Sequence, residues 1–331
     1  MNKHLVLTLK IILSLIILLY LFTIIPIQKI WISIQSAEII FILLGIILAT
    51  PISYLSAFET QYLTKIQGMS LSVFKILKIH LATNFYGLFL PGTLSGGAVK
   101  WFKLSKYGKK SSAAAVIVFN RFLEILIIIL IGIFFSFPSL YALNNQKLVI
   151  VWALIFLIMI LLYYLLLHKS ALNFIEKIIF HLPLLPKAFG LKEKIRKFIE
   201  AMHQFQNLSL RNHFEIIGLM LLYHGIGVLS FYCFARSLNI DVSIWVIGWV
   251  RSAMAIAIML PLSFAGLGIR EGTLVFLLGQ YGVMPNDSMA LSFLFLFRAI
   301  LTALVGGLFE FRDFVFSKKK KETNTIEIIE K

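Results

Sequence analysis

Long apolar stretches separated by short basic segments dominate the hydropathy pattern of this chain. Several of them reach the roughly 20 residues that an α-helix needs to cross about 30 Å of hydrocarbon. The stretches read as full spans are 5–25, 38–58, 113–137, 148–167, 214–235 and 288–311. The pattern therefore predicts an all-α polytopic membrane protein with about six full transmembrane helices.

Two further apolar stretches are interrupted by an eleven-residue phrase that occurs twice, LPGTLSGGAVK at 90–100 and LPLSFAGLGIR at 260–270. Proline and glycine at membrane depth are tolerated where a broken helix lines a cavity or is buried in protein. A matched pair of breaks indicates the binding site of a transporter, although tight helix packing is the alternative role for the glycines. The predicted helix-breaking residues are Pro91, Gly92, Gly96, Gly97, Pro261, Gly266 and Gly268.

The distribution of lysine and arginine predicts the orientation, because basic segments stay on the cytoplasmic side. With both termini cytoplasmic, 24 of the 31 basic residues lie on that side and three lie outside. The cytoplasmic segments are 1–10, 59–112, 168–212 and 312–331. Both flanks of the first phrase are then cytoplasmic and both flanks of the second are external. This predicts two re-entrant broken-helix hairpins that enter from opposite faces as an inverted repeat, with eight transmembrane helices as the alternative.

The chain is predicted to form one membrane domain followed by a short tail. The domain covers residues 1–315 and consists of two pseudo-halves, about 1–167 and 213–315, which a cytoplasmic region, 168–212, connects. A disordered cytoplasmic tail, 316–331, follows it. Within the connection, apolar residues recur at helical spacing from 191 to 205 opposite a basic face. That pattern is typical of a helix in the headgroup plane, and a helix packed on the protein is equally compatible with it.

Composition agrees with this class and excludes others. Hydrophobic residues make up 60% of the chain and charged residues 14%, with a mean hydropathy of +0.92. The net charge of +16 lies mostly between the spans, where anionic lipid accounts for it, so nucleic-acid binding is excluded. A single cysteine excludes an internal disulfide and a cysteine zinc cluster, and no motif for a metal, nucleotide or other cofactor is present.

Ionisable residues inside the apolar stretches are the candidate site. Each costs at least about 2.5 kcal/mol at a helix centre, so each is expected to be paired or to face a cavity. Each phrase ends in a cation and offers free helix N–H groups, which suit a phosphate or carboxylate. The predicted substrate-binding residues are Lys100, Arg121, Glu124, Arg251, Arg270, Glu271 and Arg298. His80, Asn84 and His224 are more typical of helix-packing hydrogen bonds.

The stretches PGTLSGGAVKWFKL, NRFLE and LPLSFAGLGIREG resemble the lysylphosphatidylglycerol synthase transmembrane region family, over about residues 5 to 315. These flippase-like membrane domains occur alone or fused to a cytoplasmic synthase. Ala98 and Lys100 stand where the family commonly has an acidic residue and an arginine. The resemblance implies movement of a lipid or lipid-linked headgroup between leaflets of the bacterial inner membrane. Aminoacyl transfer is not expected, because no stretch of this chain corresponds to the synthase.

The function predicted from these observations is a lipid flippase or transporter, not an enzyme, for a lipid with an anionic headgroup. Phospholipid, aminoacyl-phospholipid and isoprenoid-type lipids are the candidate cargoes. The alternatives are a membrane enzyme acting on lipid-linked phosphate or sugar headgroups and a membrane scaffold for a partner synthase. Membrane lipids are the expected partners, and a lipid synthase, a glycosyltransferase and a second copy of the chain are further candidates.

Overall fold

The computed structural model describes residues 3–89, 95–142, 146–168, 191–259, 263 and 266–329. These residues form twelve α-helices and one short 3-10 helix, 204–207, and contain no strand. The helices are α1 (Lys3–Ile24), α2 (Ile27–Gln35), α3 (Ile39–Ile66), α4 (Val73–Phe89), α5 (Ser95–Leu104), α6 (Lys110–Ala142), α7 (Gln146–Leu167), α8 (Leu191–His203), α9 (Leu210–Ser237), α10 (Ile244–Met259), α11 (Ile269–Gly279) and α12 (Pro285–Ile329). The predicted all-α class is confirmed.

Four helices in the described residues are long and apolar enough to cross a membrane: α3, most of α6, α9 and the part of α12 up to Asp313. A fifth span results if α1 and α2, which are bent by 80° at their junction, count as one broken helix. The predicted spans therefore coincide with helices, but not all six pass this test. Helix α7 covers the predicted span 148–167 with 22 residues, Gln146–Leu167, and its stretch Ile150–Leu165 is apolar.

The bend between α1 and α2 lies at Pro26, where the sequence predicts the first span to end. Pro26 has an extended backbone, with φ −60° and ψ 131°, and it has no N–H with which to continue the helical ladder. The chain then forms α2, which the sequence interpretation did not separate from the following loop. The Ser33 hydroxyl of α2 donates a hydrogen bond to the Asp287 carboxylate of α12 at 2.7 Å, which fixes this short helix against the last span.

Neighbouring helices approach closely where glycine leaves room. A Cβ at Gly306 of α12 would overlap the backbone carbonyl of Leu81 in α4, and a Cβ at Gly45 of α3 would lie 2.7 Å from the Phe234 ring of α9. The Ser230 hydroxyl of α9 also donates to the Gly45 carbonyl at 2.7 Å. Small residues and interhelical hydrogen bonds of this kind drive helix association in lipid, where the hydrophobic effect between helices is weak.

Two clusters of buried apolar side chains form the interior. The first cluster includes Leu63 and Phe119 and joins α3, α4, α6, α8 and α9. The second cluster includes Phe231 and Leu274 and joins α1 and α2 to the four helices α9, α10, α11 and α12. Helix α9 contributes to both clusters. The clusters do not follow the two predicted halves as continuous chain segments, because α1 and α2 pack with the C-terminal helices. The pseudo-halves stay a prediction.

The amphipathic helix α8 packs on the protein. Ile199, Met202 and the following Phe205 are buried in the first cluster, and the Phe205 ring stacks on Phe119 with centroids 4.2 Å apart. The Gln67 side chain donates to the Ala201 carbonyl at 2.7 Å. The helix thus packs on the protein with its charged face outward, and its position in the headgroup plane stays a prediction.

The last helix, α12, continues to Ile329, through the tail that the sequence interpretation predicts to be disordered. In the structure that segment is helical. No proline or glycine follows Gly307 in the chain, and lysine and glutamate, which recur in the tail, are good helix formers. The predicted disorder of the tail, 316–331, stays a prediction.

Candidate functional site

The first phrase lies between α4 and α5, two helices that pack against each other. Pro91 and Gly92 fall outside the described residues. Gly96 and Gly97 lie in the first turn of α5 and line a cavity. A Cβ at Gly97 would meet no atom within 4 Å, so its backbone faces open space. The N-terminus of α5, which is the positive end of its dipole, therefore lies at this cavity.

The second phrase lies between α10 and α11, which also pack against each other, and Pro261 falls outside the described residues. Gly266 and Gly268 have φ of 78° and 82°, in the left-handed region that L side chains rarely adopt. A Cβ at Gly268 would lie 2.9 Å from Ile17 of α1. These two glycines are thus required by backbone conformation, and Gly268 also by close packing.

Five of the seven predicted substrate-binding side chains meet in one cavity of about 640 Å³ between the helices. These five are Lys100, Arg121, Glu124, Arg251 and Arg298. They come from α5, α6, α10 and α12, and α3, α4 and α9 complete the wall. Residues that are up to about 200 positions apart in the sequence are therefore brought to one site by helix packing.

The cations of this cavity have few carboxylate partners among the described residues. Arg121 donates to Glu124 at 2.9 Å, as their i,i+3 spacing predicts. Arg251 and Arg298 form no ion pair with any residue that the structure describes. The Nε of Arg298 is buried without a hydrogen-bond partner, and its guanidinium lies 4.6 Å from the Phe295 ring centroid.

Lys100 is next to a buried polar group that the sequence interpretation missed. Its ammonium donates to the Thr60 hydroxyl at 3.3 Å. The adjacent Glu59 is completely buried in α3 and accepts two hydrogen bonds from the Asn120 amide, at 2.9 and 2.7 Å. The sequence interpretation placed Glu59 in a cytoplasmic segment because it directly follows an apolar run. Its burial follows from the extension of α3 to Ile66.

Arg270 and Glu271 are brought together at a different place. Their side chains are almost fully buried and form an ion pair. Arg270 Nε donates to Ser292 at 2.8 Å, and the second oxygen of Glu271 accepts the Gly268 N–H at 2.7 Å. Neither residue lines the large cavity. Their role as substrate ligands stays a prediction, and the observed bonds instead close the N-terminus of α11 and attach it to α12.

Two histidines add unpaired groups to the large cavity. His80 and His224 both line it, and the Nε2 atom of each is buried without a hydrogen-bond partner. His224 is only 6% exposed. Both were expected to make helix-packing hydrogen bonds, so this expectation is wrong for their Nε2 atoms. Buried polar atoms are normally satisfied, so these groups are available to a polar ligand.

The electrostatic character of the cavity is positive. Its lining holds four cations and one carboxylate, and counting the nearby Glu59 still leaves an excess of two positive charges. Guanidinium and ammonium groups, together with amides at a helix N-terminus, bind phosphate or carboxylate. Among the described residues, no group of three or more His, Cys, Asp or Glu is placed to hold a metal ion.

The comparison with protein families also indicates a membrane protein. The model of one protein family, described as the lysylphosphatidylglycerol synthase TM region, matches residues 7–307. No curated protein and no solved structure matches the chain significantly. The match covers most of the chain and includes both phrases.

Proposed function

Because the chain belongs to the lysylphosphatidylglycerol synthase TM region family, whose members are membrane proteins related to lipid handling, we propose that it is a lipid flippase. It moves a lipid with an anionic headgroup between the leaflets of the bacterial inner membrane. Phospholipid, aminoacyl-phospholipid and isoprenoid-type lipids are the candidate cargoes, and phospholipids and isoprenoid phosphates carry the phosphate that the cavity would bind.

The observation that carries this proposal is the positive cavity among apolar helices. Arg251 and Arg298 come from different helices and face the same volume without an ion-pair partner in the described residues. A charge at membrane depth is costly unless it is neutralised, and a phosphate entering the cavity would neutralise these two. The lipid tails would remain in the bilayer, next to the exposed apolar surfaces of the helices.

A leaflet-exchange assay tests the proposal. Protein is reconstituted in vesicles with a trace of phosphatidylglycerol labelled on its tail, and exchange is followed by quenching from outside. We expect Arg251→Gln and Arg298→Gln each to slow exchange roughly tenfold or more, because one charge-assisted contact contributes about 1.5–3 kcal/mol.

The matched control is Arg236→Gln, which removes a cation that pairs with Asp241 at 2.8 Å outside the cavity. It should exchange lipid at the wild-type rate. Wild-type protein without exchange activity toward phosphatidylglycerol or an isoprenoid phosphate, or cavity variants as active as wild type, would refute the proposal.

A membrane enzyme is the second candidate, favoured by the unpaired Nε2 atoms of His80 and His224, which line the same cavity as Glu124. Imidazole and carboxylate are the usual groups for proton transfer. Mass spectrometry of lipids recovered from the same vesicles separates the two candidates. Chemically altered headgroups would identify an enzyme, and unaltered, redistributed lipid identifies a flippase.

A further inference from the structure

A second polar cleft lies where α4 begins, α5 ends and the apolar part of α12 ends. Its volume is about 620 Å³. The Phe74 ring of α4, which lines the cleft, packs edge-on against Phe309 of α12 with centroids 6.2 Å apart. Within the described residues, the cleft shares no lining residue with the large cavity. It is therefore a separate site.

Basic residues outnumber acidic ones in this cleft. Four lysines and two carboxylates line it: Lys75, Lys78, Lys103, Lys106, Glu310 and Asp313. Glu310 is already satisfied, because one oxygen accepts from Lys103 at 2.6 Å and the other from the Tyr86 hydroxyl at 3.0 Å. Lys78 lies 3.9 Å from Asp313, beyond hydrogen-bond distance. Two positive charges remain in excess.

The excess charge belongs to Lys75 and Lys106, which form no ion pair with a described residue. Each ammonium instead lies over an aromatic face, at 4.0 Å from the Tyr107 centroid for Lys75 and 4.9 Å from the Phe102 centroid for Lys106. A cation–π contact positions an ammonium while leaving N–H donors for another acceptor. These two lysines are thus held at the cleft with donors to spare.

The position of the cleft relates it to the membrane surface and to the large cavity. Glu310 and Asp313 lie at the end of the apolar span of α12, which is the level of lipid headgroups. On α5, residues three apart rise by about 4.5 Å, and Lys103 lines the cleft whereas Lys100 lines the large cavity. A general basic belt follows from the positive-inside rule, but it does not require a cleft whose lysines lie over aromatic rings.

We propose that this cleft is a second anion site that binds the phosphate group of a lipid headgroup or of a free phosphorylated solute. Lys75 and Lys106 donate to the phosphate, and Lys78 and Lys103 add positive potential from their places beside carboxylates. The inference goes beyond lipid exchange, because it concerns binding alone and holds whether or not the large cavity transports lipid.

Native mass spectrometry of the full-length protein tests the site with two probes. Dioctanoyl phosphatidic acid represents the lipid headgroup, glycerol phosphate represents the free phosphate, and dioctanoylglycerol is the control without phosphate. We expect Lys75→Gln/Lys106→Gln to weaken one phosphate-binding event roughly tenfold, as loss of charge-assisted bonds predicts. If this variant binds only phosphatidic acid more weakly, the ligand is a lipid headgroup. If it also binds glycerol phosphate more weakly, a free phosphorylated solute is a ligand as well.

The matched control is Lys65→Gln/Lys109→Gln, which removes the same charge from the same basic region outside the cleft. It should bind both probes as wild type does. Equal weakening in both pairs would show a general surface effect and overturn the proposal, as would wild-type binding by the cleft variant. Arg251→Gln/Arg298→Gln should retain the event that depends on Lys75 and Lys106, so failure of this site and failure of the flippase proposal are distinguishable.

Discussion

At the residue scale, the position of Arg251 depends on a glycine in the neighbouring helix. A Cβ at Gly227 of α9 would overlap the guanidinium of Arg251, whereas a Cβ at Gly225 would meet nothing within 4 Å. Alanine otherwise favours a helix over glycine by about 0.8–1 kcal/mol. The absence of a side chain at Gly227 therefore gives this cation its place in the cavity.

We expect Gly227→Ala to slow lipid exchange several-fold, because the guanidinium must move away from its position. Gly225→Ala is the matched control in the same helix and should exchange lipid like wild type. Thermal unfolding in detergent should show a similar transition temperature for both, since the end of a flexible side chain is displaced and not backbone. Equal exchange rates for the two variants would contradict this account of Arg251.

At the scale of elements, the Arg270–Glu271 pair joins the start of α11 to α12. Its side chains are 4% and 0% exposed, and Ser292 of α12 donates to Glu271 at 2.8 Å. Removing one partner of a buried pair leaves an uncompensated charge and costs about 3–5 kcal/mol. The second phrase therefore contributes a structural junction in addition to its helix break.

We expect Arg270→Gln to lower the free energy of unfolding by about 3 kcal/mol or more, because Glu271 loses its cation. Arg270→Gln/Glu271→Gln should recover part of this loss, since no isolated charge remains. Urea unfolding followed by tryptophan fluorescence measures both. Wild-type stability of the single variant combined with weakened binding of phosphatidylglycerol would instead support the sequence prediction that Arg270 is a substrate ligand.

At the scale of the whole molecule, the predicted orientation places the basic segments in the cytoplasm. Asn239 lies in the loop that connects the C-terminal end of α9 to α10. The single native cysteine, Cys233, is partly buried and can be replaced by serine to give a background without thiols. Single cysteines introduced into that background then report the side on which each end lies.

An impermeant maleimide should label Asn239→Cys from outside intact spheroplasts. It should label Ser317→Cys, near the Lys318–Lys321 cluster, only after the membrane is opened. The physical reason is the cost of moving basic segments away from the anionic cytoplasmic face. Labelling of Ser317→Cys in intact cells would reverse the orientation.

Much of the fold could be predicted because helices in lipid satisfy their own backbone hydrogen bonds, so apolar runs translate directly into spans. The start of α3, the break at Pro26 and the glycines of both phrases were visible in this way. The burial of Glu59 was not, because an acidic residue after an apolar run is the usual sign of a membrane boundary.

The sequence by itself determined the membrane class, the two glycine-rich breaks and the surplus of cations within apolar stretches, because these follow from composition, spacing and the cost of buried charge. Only the tertiary structure decided which of those cations share a cavity. Arg251 and Arg298 meet Lys100 there, while Arg270 lies in a separate buried pair. Spacing along one helix fixes neighbours such as Arg121 and Glu124, whereas contacts between distant helices depend on close approaches such as Gly306 to Leu81, which no single segment encodes.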